Sequence, residues 1–240
     1  MKPPLLELSE VSRAYGGLRP LRVTGLAVGP GQSTAILGLD APAGEVFINL
    51  VTGAALPDRG TVFLFGRPTA SIRDGDEWLT LLDRFGIVSE RAALLDGLSV
   101  VQNLALPFSL DIEPPANDIV ERAHALAREA GLDEDRWPQR VGSLSGVERV
   151  RIRLGRALAL DPAVLLLEHP TAAVASAPRN ERVRLGRDIS AITTSRQLAT
   201  VIITADEAFA AAAANTVRTL EPATGKLHDT RGWFKRWRSV

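Results

Sequence analysis

Short runs of apolar and β-branched residues recur along the chain and predict β-strands. The later runs are separated by stretches with helical spacing, which is the pattern of parallel strands buried on both faces. The alternation of the two element types favours an α/β fold. The predicted strands cover residues 5–11, 21–28, 33–39, 61–66, 163–168, 200–205 and 216–221.

Between about residues 98 and 160 the strand pattern gives way to helical patterns. Residues 118–132 and 146–160 both place apolar side chains at helical spacing, and Gly131 and Pro162 fall near their ends. We therefore expect a helical insertion in an α/β sheet.

The last ten residues differ in composition from the rest of the chain. We expect residues 1–230 to form a single domain, and residues 231–240 to form a basic and aromatic tail. The tail, RGWFKRWRSV, holds two tryptophans, one phenylalanine and four basic residues. That composition suits contact with anionic lipid headgroups or a docking patch. The alternative is that the aromatic residues fold back over the domain.

Charge and composition narrow the function classes. Lys plus Arg equals Asp plus Glu at 28 each, so no global field points to nucleic acid as a partner. The absence of cysteine excludes disulfides and cysteine-bound metals and suits a reducing compartment. The N-terminus lacks the apolar core of a signal peptide, and no window approaches about 18 consecutive apolar residues. We expect a cytoplasmic chain that does not itself cross a membrane.

The run AILGLDAPAGEVFINLVTG, residues 35–53, passes from an apolar strand through a turn into an amphipathic helix. This is the frame of a phosphate-binding loop, whose pattern is G-x-x-x-x-G-K-[ST]. The first glycine is Gly38, but Ala43, Gly44 and Glu45 hold the positions of the second glycine, the lysine and the hydroxyl. The sequence keeps the frame of the loop without the side chains that hold phosphate and magnesium.

The substitutions in this loop oppose phosphate binding. Pro42 removes one backbone N–H donor, and the absent lysine removes a positive charge. At about 4 Å from a phosphate, the Glu45 carboxylate would be repelled by about 4 kcal/mol at an effective dielectric constant of about 20. We predict that Glu45, in the first turn of the helix, takes the place of a phosphate together with Asp40. The alternative is that Glu45 is an ordinary solvated acid.

One further motif precedes this loop, and four follow it. YGGL contains Tyr15, and SERAALLDGLSVVQNLALPF contains Glu90. LSGVERV contains Ser145 and Gly146, which follow Leu144, and the last two motifs are LLLEHPTAAV and VIITADEAF. Their order and spacing resemble those of the nucleotide-binding subunit of an ATP-binding cassette (ABC) transporter, and the resemblance covers about residues 5–228.

By this resemblance, Tyr15 corresponds to the aromatic residue that stacks on adenine, and Glu90 corresponds to the glutamine of the glutamine loop. LSGVERV is similar to the signature sequence LSGGQ. Glu168 stands at the magnesium-binding aspartate, and His169 stands at the catalytic glutamate. Ala205 stands at the switch histidine. The resemblance therefore implies the family's fold with an altered set of catalytic side chains.

The implied fold is a P-loop NTPase-like ABC cassette: a mixed sheet core with flanking helices, an antiparallel β subdomain and a helical insertion. The implied cofactors are ATP and Mg²⁺. The implied partners are a transmembrane permease and a second cassette, in a homodimer or a heterodimer at the inner face of the membrane. The implied nucleotide-site positions are Tyr15, Gly38, Asp40, Gly44, Glu45, Glu90, Ser145 and Gly146, with Glu168 as the implied metal ligand.

Several of these residues also have a structural interpretation. His169 is either a general base or a structural histidine. Tyr15 either stacks on adenine or caps the edge of the sheet. Ser145 and Gly146 either complete the site of a partner cassette or persist as a helix N-cap.

The segment at residues 88–108 is the expected docking surface for a permease, because its content of Ala, Leu and Val is high for an exposed segment. Leu94 and Leu95 are its expected contact residues.

Two functions follow from the sequence. The favoured one is a cassette-like subunit that binds ATP weakly or not at all and has a structural or regulatory role, or serves as the degenerate half of an asymmetric dimer. The alternative is an ATPase that drives transport through an atypical site containing Glu168 and His169.

Overall fold

A computed structural model of the protein describes residues 3–230. An antiparallel sheet at one end consists of β1 (Leu6–Arg13), β2 (Leu21–Val28), β4 (Arg59–Leu64) and β5 (Arg67–Pro68), in the order β2-β1-β4-β5. Along β2, buried and exposed side chains alternate, because one face of this sheet packs on the core and the other meets solvent.

The second sheet holds the candidate site. Its order is β10-β9-β3-β8-β7-β6, and all its neighbouring pairs are parallel except the pair of β10 with β9. Every residue of β3, β7 and β8 is buried, which explains their continuous apolar sequences. The strands are β3 (Ser33–Leu37), β6 (Phe85–Val88), β7 (Val164–Glu168), β8 (Ala199–Ile203), β9 (Thr216–Leu220) and β10 (Leu227–Asp229).

Helices flank the sheets and build the insertion. Leu126 and Ala127 on the first long helix of the insertion, and Ile152 and Leu154 on the second, are buried in one shared core. The insertion therefore packs as part of the domain. The helices are α1 (Ala41–Val51), α2 (Gly75–Leu82), α3 (Val100–Ala105), α4 (Asn117–Glu129), α5 (Gly146–Leu158), α6 (Arg179–Ser195) and α7 (Glu207–Ala213).

The structure confirms the predicted α/β fold, the seven predicted strands and the helices at 118–132 and 146–160, with shifted ends. Sequence patterns missed β5 at the edge of the antiparallel sheet, as well as β6 and β10, because each of these strands is too short to show a period. The structure therefore adds two strands at opposite edges of the parallel sheet.

Two expectations concern the ends of the chain and the membrane. The predicted tail at 231–240 lies outside the described residues. None of the helices within residues 3–230 is long and apolar enough to cross a membrane.

Candidate functional site

The carboxyl ends of the parallel strands meet at one edge of the sheet, where ligand sites of open α/β sheets form. Gly38 follows β3, Ser89 follows β6, and Glu168 is the last residue of β7. The helix α1 starts just beyond Gly38 and directs its N-terminus at this edge. Sequence positions that are far apart are therefore brought into one site.

Gly38 is required where the chain leaves β3. Its φ is 91°, and a Cβ at this position would lie 2.9 Å from the carbonyl oxygen of Leu220. Only glycine tolerates both this backbone conformation and this close approach. The turn that begins a phosphate-binding loop is therefore present, as the sequence predicted.

Beyond Gly38, two of the backbone donors that could contact a phosphate are engaged by Asp40. Asp40 is the N-cap of α1, and its carboxylate accepts a 2.8 Å hydrogen bond from the N–H of Ala43. The N–H of Gly44 donates to the Asp40 carbonyl oxygen at 2.8 Å, and Pro42 has no N–H. The segment is thus a capped helix start with a carboxylate at its positive end.

The predicted role of Glu45 at the helix N-terminus is wrong. Glu45 is the fifth residue of α1, and the first turn of the helix contains no acidic residue. The Glu45 side chain is 52% exposed and forms a 3.0 Å ion pair with Arg91. Asp40 alone supplies the negative charge at the N-terminus, because the helix begins earlier than the loop pattern suggests.

Gly44, which stands at the lysine position, faces His169. A Cβ on Gly44 would lie 3.0 Å from His169 Nε2 and 3.3 Å from His169 Cδ2. The Nε2 atom is buried and has no hydrogen-bond partner among residues 3–230. The imidazole therefore occupies the space into which a longer side chain at position 44 would extend. His169 also has φ at 43°, a left-handed conformation that is uncommon for residues other than glycine.

Glu168 is a buried carboxylate, and its Oε2 atom is fully engaged. It accepts a 2.7 Å hydrogen bond from the Ser89 hydroxyl and bonds of 3.2 and 2.8 Å from Nε and Nη2 of Arg91. The same guanidinium reaches Glu45 through Nη1. Arg91 thus bridges the two acids that stand at the family's magnesium-binding positions.

Sequence reasoning selected Glu90 in this segment and missed its neighbours Ser89 and Arg91. Glu90 is exposed, whereas Ser89 and Arg91 both contact Glu168. Arg91 follows Ser89 through a turn, in which the N–H of Arg91 donates to the Ser89 hydroxyl at 3.1 Å and the N–H of Ala92 donates to the Ser89 carbonyl oxygen at 3.1 Å. Because residues 90 and 91 lie in this turn beyond β6, no strand period in the sequence identifies Arg91.

Neither implied cofactor fits these residues. A phosphate at the start of α1 would meet the Asp40 carboxylate and no lysine. A magnesium ion between Glu45 and Glu168 would need the space of the Arg91 guanidinium. Within residues 3–230, no group of three or more His, Cys, Asp or Glu side chains could hold a metal ion.

Tyr15 lines a cleft of about 750 Å³ in front of α1, together with Gly38, Asp40 and Ala43. Burial, and then the nearby Asp40 carboxylate, raise the pKa of the Tyr15 hydroxyl above its ordinary value. The side chain also packs partly against the core below the antiparallel sheet. Tyr15 therefore borders an open cleft and covers part of the core, and its stacking on adenine stays a prediction.

Ser145 and Gly146 lie apart from this edge, at the start of α5. The Ser145 hydroxyl accepts a hydrogen bond from the N–H of Glu148, and the Glu148 carboxylate accepts a 2.7 Å bond from the N–H of Ser145. This is a complete capping box. A Cβ on Gly146 would lie 2.6 Å from Val174. The structural interpretation of this motif is therefore present in the molecule.

A second cleft, of about 440 Å³, lies between the segment after β6 and the helical insertion. Leu110 and Leu160 line it and are 87% and 53% exposed. Leu95 is 44% exposed, but Leu94 packs partly buried against the core. The Leu94 side chain thus contributes to the core, whereas Leu95 is exposed, and the docking role of both residues stays a prediction.

Comparison with known proteins agrees with this architecture. The family model described as "ABC transporter" matches residues 21–172. The methionine import ATP-binding protein MetN of Brucella abortus is 31% identical over 188 residues, covering 78% of this chain and 50% of MetN. The Fe(3+) ions import ATP-binding protein FbpC 2 of Rhodococcus jostii is 31% identical over 223 residues, covering 92% of this chain and 60% of FbpC 2. The chain thus spans only part of the length of these relatives.

Solved structures share the fold. The cbiO1 protein from Clostridium perfringens, described as part of the ABC transporter complex cbiONQ, matches with a TM-score of 0.79 and 19% identity, over 98% of this chain and 92% of cbiO1. The bacterial ABC transporter cassette MJ0796, solved as a dimer, matches with a TM-score of 0.73 and 21% identity, over 92% of this chain and 96% of MJ0796. By the family match and by its fold, the chain belongs to the ABC transporter family and contains that family's ATP-binding cassette domain.

Proposed function

We propose that this chain is a cassette subunit of a membrane transporter that binds ATP weakly or not at all and works by docking on a permease. The observation that supports this most strongly is the start of α1, where the Asp40 carboxylate caps the helix and no lysine is present. Relatives named as import ATP-binding proteins indicate the transporter context. The proposed location is the cytoplasmic face of the membrane, as a peripheral subunit.

The electrostatics of the site favour this function over ATP hydrolysis. Phosphoryl transfer depends on positioning the phosphate and neutralising its charge. Two unit charges of the same sign about 4 Å apart repel by about 4 kcal/mol at an effective dielectric constant of about 20. That penalty corresponds to nearly three decades in affinity. A phosphate at Asp40 would meet such repulsion and would lack the compensating lysine.

The proposed role is that of a structural or regulatory subunit, rather than that of the degenerate half of an asymmetric dimer. In the asymmetric form, the start of α5 would complete a phosphate site on a second cassette. The Glu148 carboxylate already accepts the N–H of Ser145 and places negative charge at that helix end. A second anion there would be repelled in the same way.

The cleft beside the helical insertion supports permease docking. Its apolar wall, including Leu110 and Leu160, is exposed, and large exposed apolar patches mark interaction sites. Arg153 and Arg156 line the same cleft, and burial lowers the pKa of both guanidinium groups. Each guanidinium donates to one backbone carbonyl oxygen, that of Ala92 or Ala93, and neither has a carboxylate within salt-bridge distance among residues 3–230. A permease segment with leucine-like side chains and a carboxylate would satisfy both features.

Docking is tested by co-purification with a co-expressed candidate permease. Leu110→Asp should abolish association and leave the melting temperature of the isolated domain unchanged, because an unpaired charge in an apolar interface must be desolvated. Leu79→Asp is the matched control, since Leu79 is 54% exposed on α2 and does not line the cleft. Equal co-purification of both variants would refute this docking surface.

Catalysis is tested separately, by calorimetry and transport. We expect no ATP binding by the wild type at millimolar nucleotide, with or without magnesium, and a micromolar dissociation constant would overturn the proposal. Transport that persists with His169→Ala but stops with Leu110→Asp would support a docking function. Loss of transport with His169→Ala, when folding and docking are intact, would instead support the ATPase.

A further inference from the structure

The two acids at the magnesium-binding positions of the fold are joined by a side chain of the protein itself. Glu45 is on α1, Glu168 ends β7, and Arg91 follows β6. Nη1 of Arg91 lies 3.0 Å from Glu45 Oε1, and Nη2 lies 2.8 Å from Glu168 Oε2. The cation therefore sits between the carboxylates, and it contacts both through different nitrogen atoms.

The two carboxylates that contact Arg91 differ in their burial. The Glu168 side chain is 8% exposed, whereas the Glu45 side chain is 52% exposed. A buried carboxylate without a partner is costly, because it has lost its hydration. Glu168 therefore needs a cation or a strong donor, and Arg91 with Ser89 supplies both.

Residues 89–93, which we name the brace segment, also contact the helical insertion. Nε of Arg153 donates to the carbonyl oxygen of Ala92 at 3.2 Å, and Nη1 of Arg156 donates to that of Ala93 at 2.7 Å. Both arginines belong to α5. The brace segment thus connects the sheet edge at Glu168 to the insertion that forms the docking cleft.

We propose that Arg91 is a built-in cation that takes the place of a bridging divalent metal between Glu45 and Glu168, and that it holds the brace segment in position without metal or nucleotide. A tethered cation has a high effective concentration and does not dissociate, so a free metal ion competes poorly with it. Guanidinium also suits two carboxylates at once, because its donors are arranged in a planar fork.

This proposal deepens the proposed function and rests on it in one respect, that no magnesium nucleotide occupies the site. It adds that the docking cleft is formed permanently. In the wild type, the position of the brace segment should not respond to ATP or to metal. The consequence is a cassette that presents one fixed surface to its permease.

The first test measures the melting temperature of Arg91→Met in EDTA and in millimolar MnCl₂. Removing the cation should lower the melting temperature in EDTA by about 5 °C, because Glu168 is left unpaired. Mn²⁺ should restore at least half of this loss in the variant and leave the wild type unchanged. Arg91→Met/Glu168→Gln should not respond to Mn²⁺. Arg73→Met, which removes an exposed arginine paired with Glu77, is the matched control and should not respond either.

An equal response to Mn²⁺ in the wild type and in Arg91→Met would overturn the proposal, as would a response of the double variant or no response in Arg91→Met. If Arg91→Met does not fold, hydrogen exchange of the wild type decides. Exchange at residues 89–93 should be the same in EDTA and in millimolar MgCl₂ with ATP, and added protection would refute the inference. The wild type could bind ATP while Arg91→Met still shows the Mn²⁺ response. That combination of results would contradict only the proposed function.

Discussion

The contact between Gly44 and His169 predicts a specific non-additive effect on stability. The perturbation is Gly44→Ala, made in the wild type and in His169→Ala. The added methyl group would lie 3.0 Å from His169 Nε2 and 3.3 Å from His169 Cδ2, closer than ordinary van der Waals contact. In the wild type, the imidazole must move from a buried position to admit it. In His169→Ala, these two atoms are absent.

The magnitude follows from two opposing terms. Replacing glycine by alanine inside a helix stabilises it by about 1 kcal/mol. Forcing an additional methyl group into a packed region costs about 2 kcal/mol. Gly44→Ala should therefore destabilise the wild type by about 1 kcal/mol and stabilise His169→Ala by about 1 kcal/mol. The coupling free energy between the two positions is then about 2 kcal/mol, which lies within the range for residues in contact.

Urea denaturation followed by circular dichroism measures the four free energies of unfolding that this cycle needs. Gly75→Ala is the control, because a Cβ on Gly75, at the start of α2, would meet nothing within 4 Å. Its effect should be the same in both backgrounds. A coupling below about 0.5 kcal/mol between positions 44 and 169 would refute the reasoning, since it would mean that the imidazole does not restrict position 44.

Three other measurements test the site. Asp40→Ala should lower the free energy of unfolding by about 1 kcal/mol in urea denaturation, because α1 loses its N-cap, whereas Asp40→Asn should retain most of it. Glu45→Gln should change that free energy by less than about 0.5 kcal/mol, because Glu45 contributes only an exposed ion pair, and a larger loss would restore a helix-end role for it. Tyr15 is the only tyrosine, so absorbance during alkaline titration should show a pKa above the ordinary tyrosine value, and this pKa should fall in Asp40→Asn. The stability linked to this proton is present below the unfolded-state pKa and is lost as pH rises through the folded-state pKa.

The sequence by itself determined the elements and the altered chemistry of the loop. The strand and helix periods are local, so they were visible without knowledge of neighbours. The loss of the lysine and hydroxyl at Gly44 and Glu45 was likewise visible, because the phosphate-loop pattern is contiguous. Gly38 was placed correctly for the same reason, since a tight turn after a strand depends on adjacent residues.

Only the tertiary structure decided what the altered residues do. Arg91 and Glu168 are 77 positions apart, and they meet because β6 and β7 are parallel neighbours whose carboxyl ends share one edge. His169 faces Gly44 because α1 packs beside the end of β7. Whether Asp40 or Glu45 capped α1 depended on the residue at which the helix begins, and helix boundaries are the least certain part of a sequence pattern. Contacts between side chains that are distant in sequence arise from strand order and register, and the local hydrophobic period of the sequence does not encode these.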